Sequence, residues 1–133
     1  MKIAISSSGK EISSNVDPHF GRCKYFLIVD TETMDFKAIP NSGAGAAHGA
    51  GIQAAQLVAS NGVKIVLTGN VGPNAHSALM ASSVEVVTGV SGTVRDAVES
   101  FKRGELQPTS EPTVMGHFGS GRRGGGRGRG RRR

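Results

Sequence analysis

The five residues His19-Phe20-Gly21-Arg22-Cys23 join the only cysteine of the chain to one of its four histidines and an arginine. Imidazole and thiolate are ligands for iron, copper, zinc and sulfide clusters. A guanidinium stabilises an anion. The glycine lets the backbone approach a ligand closely. Directly after this segment comes Tyr25–Val29, the most hydrophobic strand-like run, which would hold these groups in place. Two more histidines follow, His48 among glycines and His76 just after a Gly-Pro pair.

The elements that must position these groups are legible in order. Lys2–Ser6 reads as a first strand, and residues 7–18 as polar turns ending in Asp17-Pro18. Tyr25–Asp30 reads as a second strand, Thr31–Met34 as a hairpin turn, and Phe36–Pro40 as a third strand whose proline marks an edge. Residues 41–51 form a glycine-rich loop feeding a helix over about 49–61. Its apolar sector holds Ile52, Ala55, Leu57, Val58 and Ala59. Val63–Thr68 is a fourth strand of the buried parallel kind. Pro73 opens a second helix running to about Ala81, with Ala75, Ala78 and Leu79 inward. Val84–Val87 is a fifth strand. Thr93 caps a third helix with Val94, Ala97, Val98 and Phe101 on one face, and Gly104 stops it.

This order predicts an α/β domain: a mixed five-stranded sheet in the order 3-2-1-4-5, strand two antiparallel, with three helices, as in the ribonuclease H-like architecture. The domain spans residues 1–106. Residues 107–133 are a Gly/Arg-rich tail expected to be disordered. Ligands of open α/β sheets bind beyond the carboxyl ends of the parallel strands. Strands one, four and five end at Ser6-Ser7, Thr68-Gly69-Asn70 and Thr88-Gly89-Val90-Ser91. Strand two begins at that same end, and the His48 loop and the first turn of helix two also reach it. The candidate binding set is therefore His19, Phe20, Gly21, Arg22, Cys23, His48, Asn70, His76 and Ser91. His19, Cys23 and His48 are the candidate metal ligands.

Composition narrows the classes. Residues 122–133 carry seven arginines and no acid, while the other 121 residues hold nine Lys/Arg against ten Asp/Glu. The basic character thus belongs to the tail. A lone cysteine excludes an intrachain disulfide and a four-cysteine metal site, and fits a reducing cytoplasm. No apolar run is long enough for a membrane span, and the N-terminus has no signal-peptide pattern. Strand one carries serines where a two-metal nuclease of this fold would need a carboxylate. The glycines at 43, 45, 49 and 51 lack the Gly-Lys-Ser/Thr of a P-loop.

Each candidate has a structural alternative. His19 could cap a turn, Cys23 could be a small buried hydrophobe, and Arg22 could pair with Asp17 or Asp30. His76 could form an idle exposed pair with Met80. The shared location at one sheet end is what favours the joint reading.

A spaced set of motifs then resembles a known family. It comprises Met1-Lys2-Ile3-Ala4-Ile5, His19-Phe20-Gly21-Arg22, Tyr25-Phe26, Gly49-Ala50-Gly51, Gly72-Pro73-Asn74-Ala75 and Gly89-Val90-Ser91-Gly92-Thr93-Val94. Over about residues 1–106 it is similar to the dinitrogenase iron–molybdenum cofactor biosynthesis family, which includes NifX proteins and the C-terminal domain of NifB. The resemblance implies a ribonuclease H-like fold. It also implies non-catalytic binding, carriage or protection of an iron–sulfur or molybdenum-containing sulfide cluster. Some related proteins hold molybdenum–copper–sulfur clusters. The implied partners are cluster donor and acceptor proteins, with this chain a monomer or weak dimer. Cys23 stands where relatives are often apolar. The alternative function is nucleic-acid or acidic-partner binding through the arginine tail, whose contacts to phosphates would be non-specific.

Overall fold

The computed structural model describes residues 1–46 and 48–108. Five strands, β1 (Lys2–Ser7), β2 (Tyr25–Asp30), β3 (Phe36–Pro40), β4 (Ile65–Leu67) and β5 (Glu85–Val87), form one sheet in the order β3-β2-β1-β4-β5. β2 is antiparallel to β1 and to β3, whereas β4 and β5 run parallel to β1. Three helices, α1 (Ala50–Ser60), α2 (Pro73–Ala81) and α3 (Val94–Lys102), complete the order expected from the sequence. From residue 109 onward the expected tail lies outside the described residues.

Alternation along the strands divides the core between the two faces. Ala4, Phe26, Ile28 and Val66 pack under α1 and α2 with Ala54, Val58 and Leu79. Ile3, Ile5, Leu27 and Leu67 pack under α3 with Val94, Ala97 and Val98. α3 begins as expected: the Thr93 side chain accepts a hydrogen bond from the Asp96 N–H. Gly104, at φ 77°, ends it in a left-handed turn.

Two sequence expectations need correction. β4 and β5 are shorter than the apolar runs suggest: Lys64 donates its N–H to the Lys2 carbonyl just ahead of the paired residues, and Val84 donates back to the Leu79 carbonyl of α2 rather than to a strand. The buried face of α1 is Ala50, Ala54, Ala55 and Val58, while Ile52 is exposed. The helix lies so close to its neighbours that alanines fit the contact and a larger side chain turns outward.

Candidate functional site

The carboxyl ends of β1 and β4 hold the loop carrying His19. Asn70, just past β4, donates its N–H to the Pro18 carbonyl at 2.8 Å and accepts from the Phe20 N–H at 3.3 Å. Gly69 permits this approach, since a Cβ there would lie 2.6 Å from Pro18 Cα. Phe20 is buried against Phe26, ring centroids 5.2 Å apart, and anchors the loop from below.

Glycines bring the loop and both helices together. A Cβ on Gly21 would meet the Gly51 backbone at 3.0 Å, and one on Gly51 would meet Ala75 Cβ at 3.0 Å. The His19 loop, the start of α1 and the start of α2 thus pack with almost no side chain between them. The result is a cleft of about 520 Å³, within the range of small-ligand sites. His19, Arg22, His48 and Asn70 line it, with the first turns of both helices, Gly49–Ile52 and Gly72–Ala75.

Neither helix start is capped by a side chain, and neither first turn holds an acid. Gly49, at φ 76°, precedes α1, and Gly72 precedes the Pro73 that opens α2. A helix N-terminus carries roughly half a positive charge with N–H groups pointing outward. Two of them facing one cleft favour an anion.

The side chains sort as follows. His19 is exposed, its Nδ1 3.2 Å from Asp17 Oδ1. His48 is exposed on the glycine-rich loop. Arg22 pairs with neither Asp17 nor Asp30. Its Nη1 donates to the carbonyls of Ala44 and Ala46 at 2.8 and 2.7 Å, tying that loop to the His19 loop. Asn41 reinforces the tie from beneath: its buried Nδ2 donates to the carbonyls of Gly21 at 3.2 Å and Cys23 at 2.9 Å.

Three residues expected at the rim are not in the cleft lining. Cys23 has no exposure and sits in the core under α1, its thiol donating to the Phe20 carbonyl at 3.4 Å. Burial pushes that thiol up to about 12, so a thiolate ligand would require the core to open. The sequence left its direction unresolved because one residue of register separates rim from core. His76 lies 93% buried on α2, and its Nε2 has no partner among the described residues. Ser91 is exposed in the turn before α3. Among the described residues no group of three His, Cys, Asp or Glu is placed to hold a metal ion.

A small open-sheet α/β domain with a ligand-sized cleft beyond its strand ends is the class these features define. The chain belongs to the dinitrogenase iron-molybdenum cofactor family, whose profile matches residues 1–104. Among solved structures it is similar to the apo form of the orange protein from Desulfovibrio gigas. That likeness has 39% identity and a TM-score of 0.82, over 84% of this chain and 95% of that one. A Thermotoga protein described as a putative NifB protein matches at 38% identity and TM-score 0.71, over 80% and 91% of the two chains. An uncharacterized protein of Methanocaldococcus jannaschii is 32% identical over 110 residues, 80% of this chain and 90% of that relative. No described helix is long and apolar enough to cross a membrane.

Proposed function

We propose that this chain binds an anionic metal–sulfur cluster, of iron–sulfur or molybdenum–iron–sulfur type, in the cleft and passes it to a recipient protein without catalysing a reaction. The observation that carries this reading is the facing of two helix starts without side-chain caps on one cleft that also holds His19, Arg22 and His48. The helix dipoles and N–H groups suit the negative charge that many such clusters carry. The two imidazoles suit its metal atoms.

Few protein ligands also suit a cargo that must leave. Membership of the cofactor family and likeness to the orange protein and the putative NifB protein support a role alongside metalloclusters, with cluster donor and acceptor proteins as partners.

Anaerobic reconstitution with iron, sulfide and molybdate tests the reading. Wild-type protein should retain sulfide-to-metal charge-transfer absorption after desalting. His19→Ala should retain it about tenfold less well, the scale seen when a metal's supporting groups are removed. Featureless spectra from the wild type would refute the proposal.

A further inference from the structure

Asp17 is placed to do more than terminate a turn. Its Oδ1 accepts the backbone N–H of His19 at 2.8 Å, which a turn alone would explain. The same oxygen lies 3.2 Å from Nδ1 of the His19 ring, which a turn does not need. The carboxylate is mostly buried, with a side-chain exposure of 21%, while the imidazole is 69% exposed.

The aspartate is itself held rigidly. Its N–H donates to the Ser6 carbonyl at 2.9 Å, and its carbonyl accepts from Ser6 Oγ at 2.6 Å. Ser6 Oγ is also 2.7 Å from Thr68 Oγ1, and both residues are fully buried. A chain of hydrogen bonds therefore runs from the ends of β4 and β1 through Asp17 to the His19 ring. These two buried hydroxyls find their use here.

An ionised carboxylate only accepts hydrogen bonds. In a neutral His19 ring, the bond to Asp17 therefore needs the proton on Nδ1. Nε2 is left with its lone pair, and an imidazole free in water prefers the opposite arrangement. We propose that Asp17 is the positioning residue that selects this tautomer and presents Nε2 of His19 to the cargo as an electron-pair donor. Carboxylate–histidine pairs orient metal ligands in this way.

The inference rests on the cluster reading of the cleft and narrows the cargo. A bare Nε2 cannot donate a hydrogen bond to a sulfide or oxide. It can form a coordinate bond to a metal vertex, displacing a labile water or a small thiolate that leaves with its electron pair, with no change of oxidation state. The negative edges of the same cargo face the amides of the first turns of α1 and α2. A cluster with an exchangeable vertex meets both demands, and a coordinatively saturated oxyanion does not.

The test uses the full chain without cargo, labelled with nitrogen-15 at histidine, at about pH 8, above the ordinary imidazole range. Long-range proton–nitrogen spectra report the tautomer, with His19 assigned by its loss in His19→Gln. The wild type should carry its proton on Nδ1. Asp17→Ala should move it to Nε2, and Asp17→Asn, which keeps an acceptor, should lie between them. A wild-type ring protonated mainly on Nε2 overturns the proposal, whether or not the Asp17 variants fold.

In reconstituted samples Asp17→Ala should retain cluster about tenfold less well than the wild type. Equal retention with the tautomer inverted would also overturn the role of Asp17. Failure of the wild type to take up cluster refutes the cluster reading instead, while the spectrum still decides what Asp17 does to the ring.

Discussion

Gly69→Ala should loosen the cleft from its floor. The new Cβ would stand 2.6 Å from Pro18 Cα and 2.9 Å from both its Cβ and its carbonyl oxygen. Carbon atoms in contact sit about 3.5–4.0 Å apart, so the His19 loop must retreat by about 1 Å. The atoms in the way are backbone and ring, so no rotamer change relieves them. The retreat pulls on the Asn70-to-Pro18 and Phe20-to-Asn70 hydrogen bonds, now 2.8 and 3.3 Å. Overpacking of this kind costs about 1–3 kcal/mol, and each weakened bond adds about 0.5–1.5 kcal/mol. The expected destabilisation is about 2–6 kcal/mol. With a urea slope of about 2 kcal/mol per molar, the midpoint should fall by about 1–3 M. Gly45→Ala is the control, because its Cβ would meet nothing within 4 Å. It should change stability by less than about 0.5 kcal/mol. If Gly69→Ala behaves like this control, the close approach of loop to strand is not what holds the site.

Three further outcomes follow from individual contacts. Burial pushes the Cys23 thiol from its ordinary 9.0 up to about 12. Between these values the unfolded chain loses a proton that the folded chain keeps, so stability falls as pH rises, by up to about 1.4 kcal/mol per pH unit. Urea titrations should show a shallower alkaline decline in Cys23→Ala, and parallel declines would contradict the burial argument. Thr93→Ala removes the side-chain cap of α3 and should cost about 1 kcal/mol by thermal or urea unfolding. Arg22→Ala frees the carbonyls of Ala44 and Ala46. Amide exchange should then speed up at Ala44 and Ala46, whose N–H groups bond within the same loop, while the β1–β2 ladder stays protected. Unchanged exchange in the loop would show that the guanidinium does not hold it.

Sheet order was readable because hairpin and crossover chemistry is local: Thr31–Met34, Pro40, Pro73 and Gly104 each act within a few residues. The gathering of His19, Arg22, His48 and Asn70 followed from that order alone. What escaped the sequence were directions. Cys23 and His76 stand on the right elements, yet both turn into the protein. A single residue of strand register decided the first, and the inward face of α2 decided the second. The carboxylate pairing offered as the alternative for Arg22 rested on charge, whereas the loop carbonyls are its partners. Asn41, Gly69 and Asp17 stand outside the sequence-derived binding set because their importance lies in contacts across the fold. Only Asp17 had a local signal, an aspartate two residues ahead of a histidine. The Ile52 misassignment has a similar origin: the apolar sector of α1 was drawn from side-chain type, but glycine–alanine contacts set which face fits inside.

The most direct measurement is anomalous diffraction at the iron and molybdenum edges from crystals of cluster-loaded protein. The account predicts metal peaks in the cleft, beside His19 and in front of the amides of Gly51 and Ala75. Peaks at Ser91, at an opened Cys23, or anywhere outside the space between the starts of α1 and α2 would contradict it.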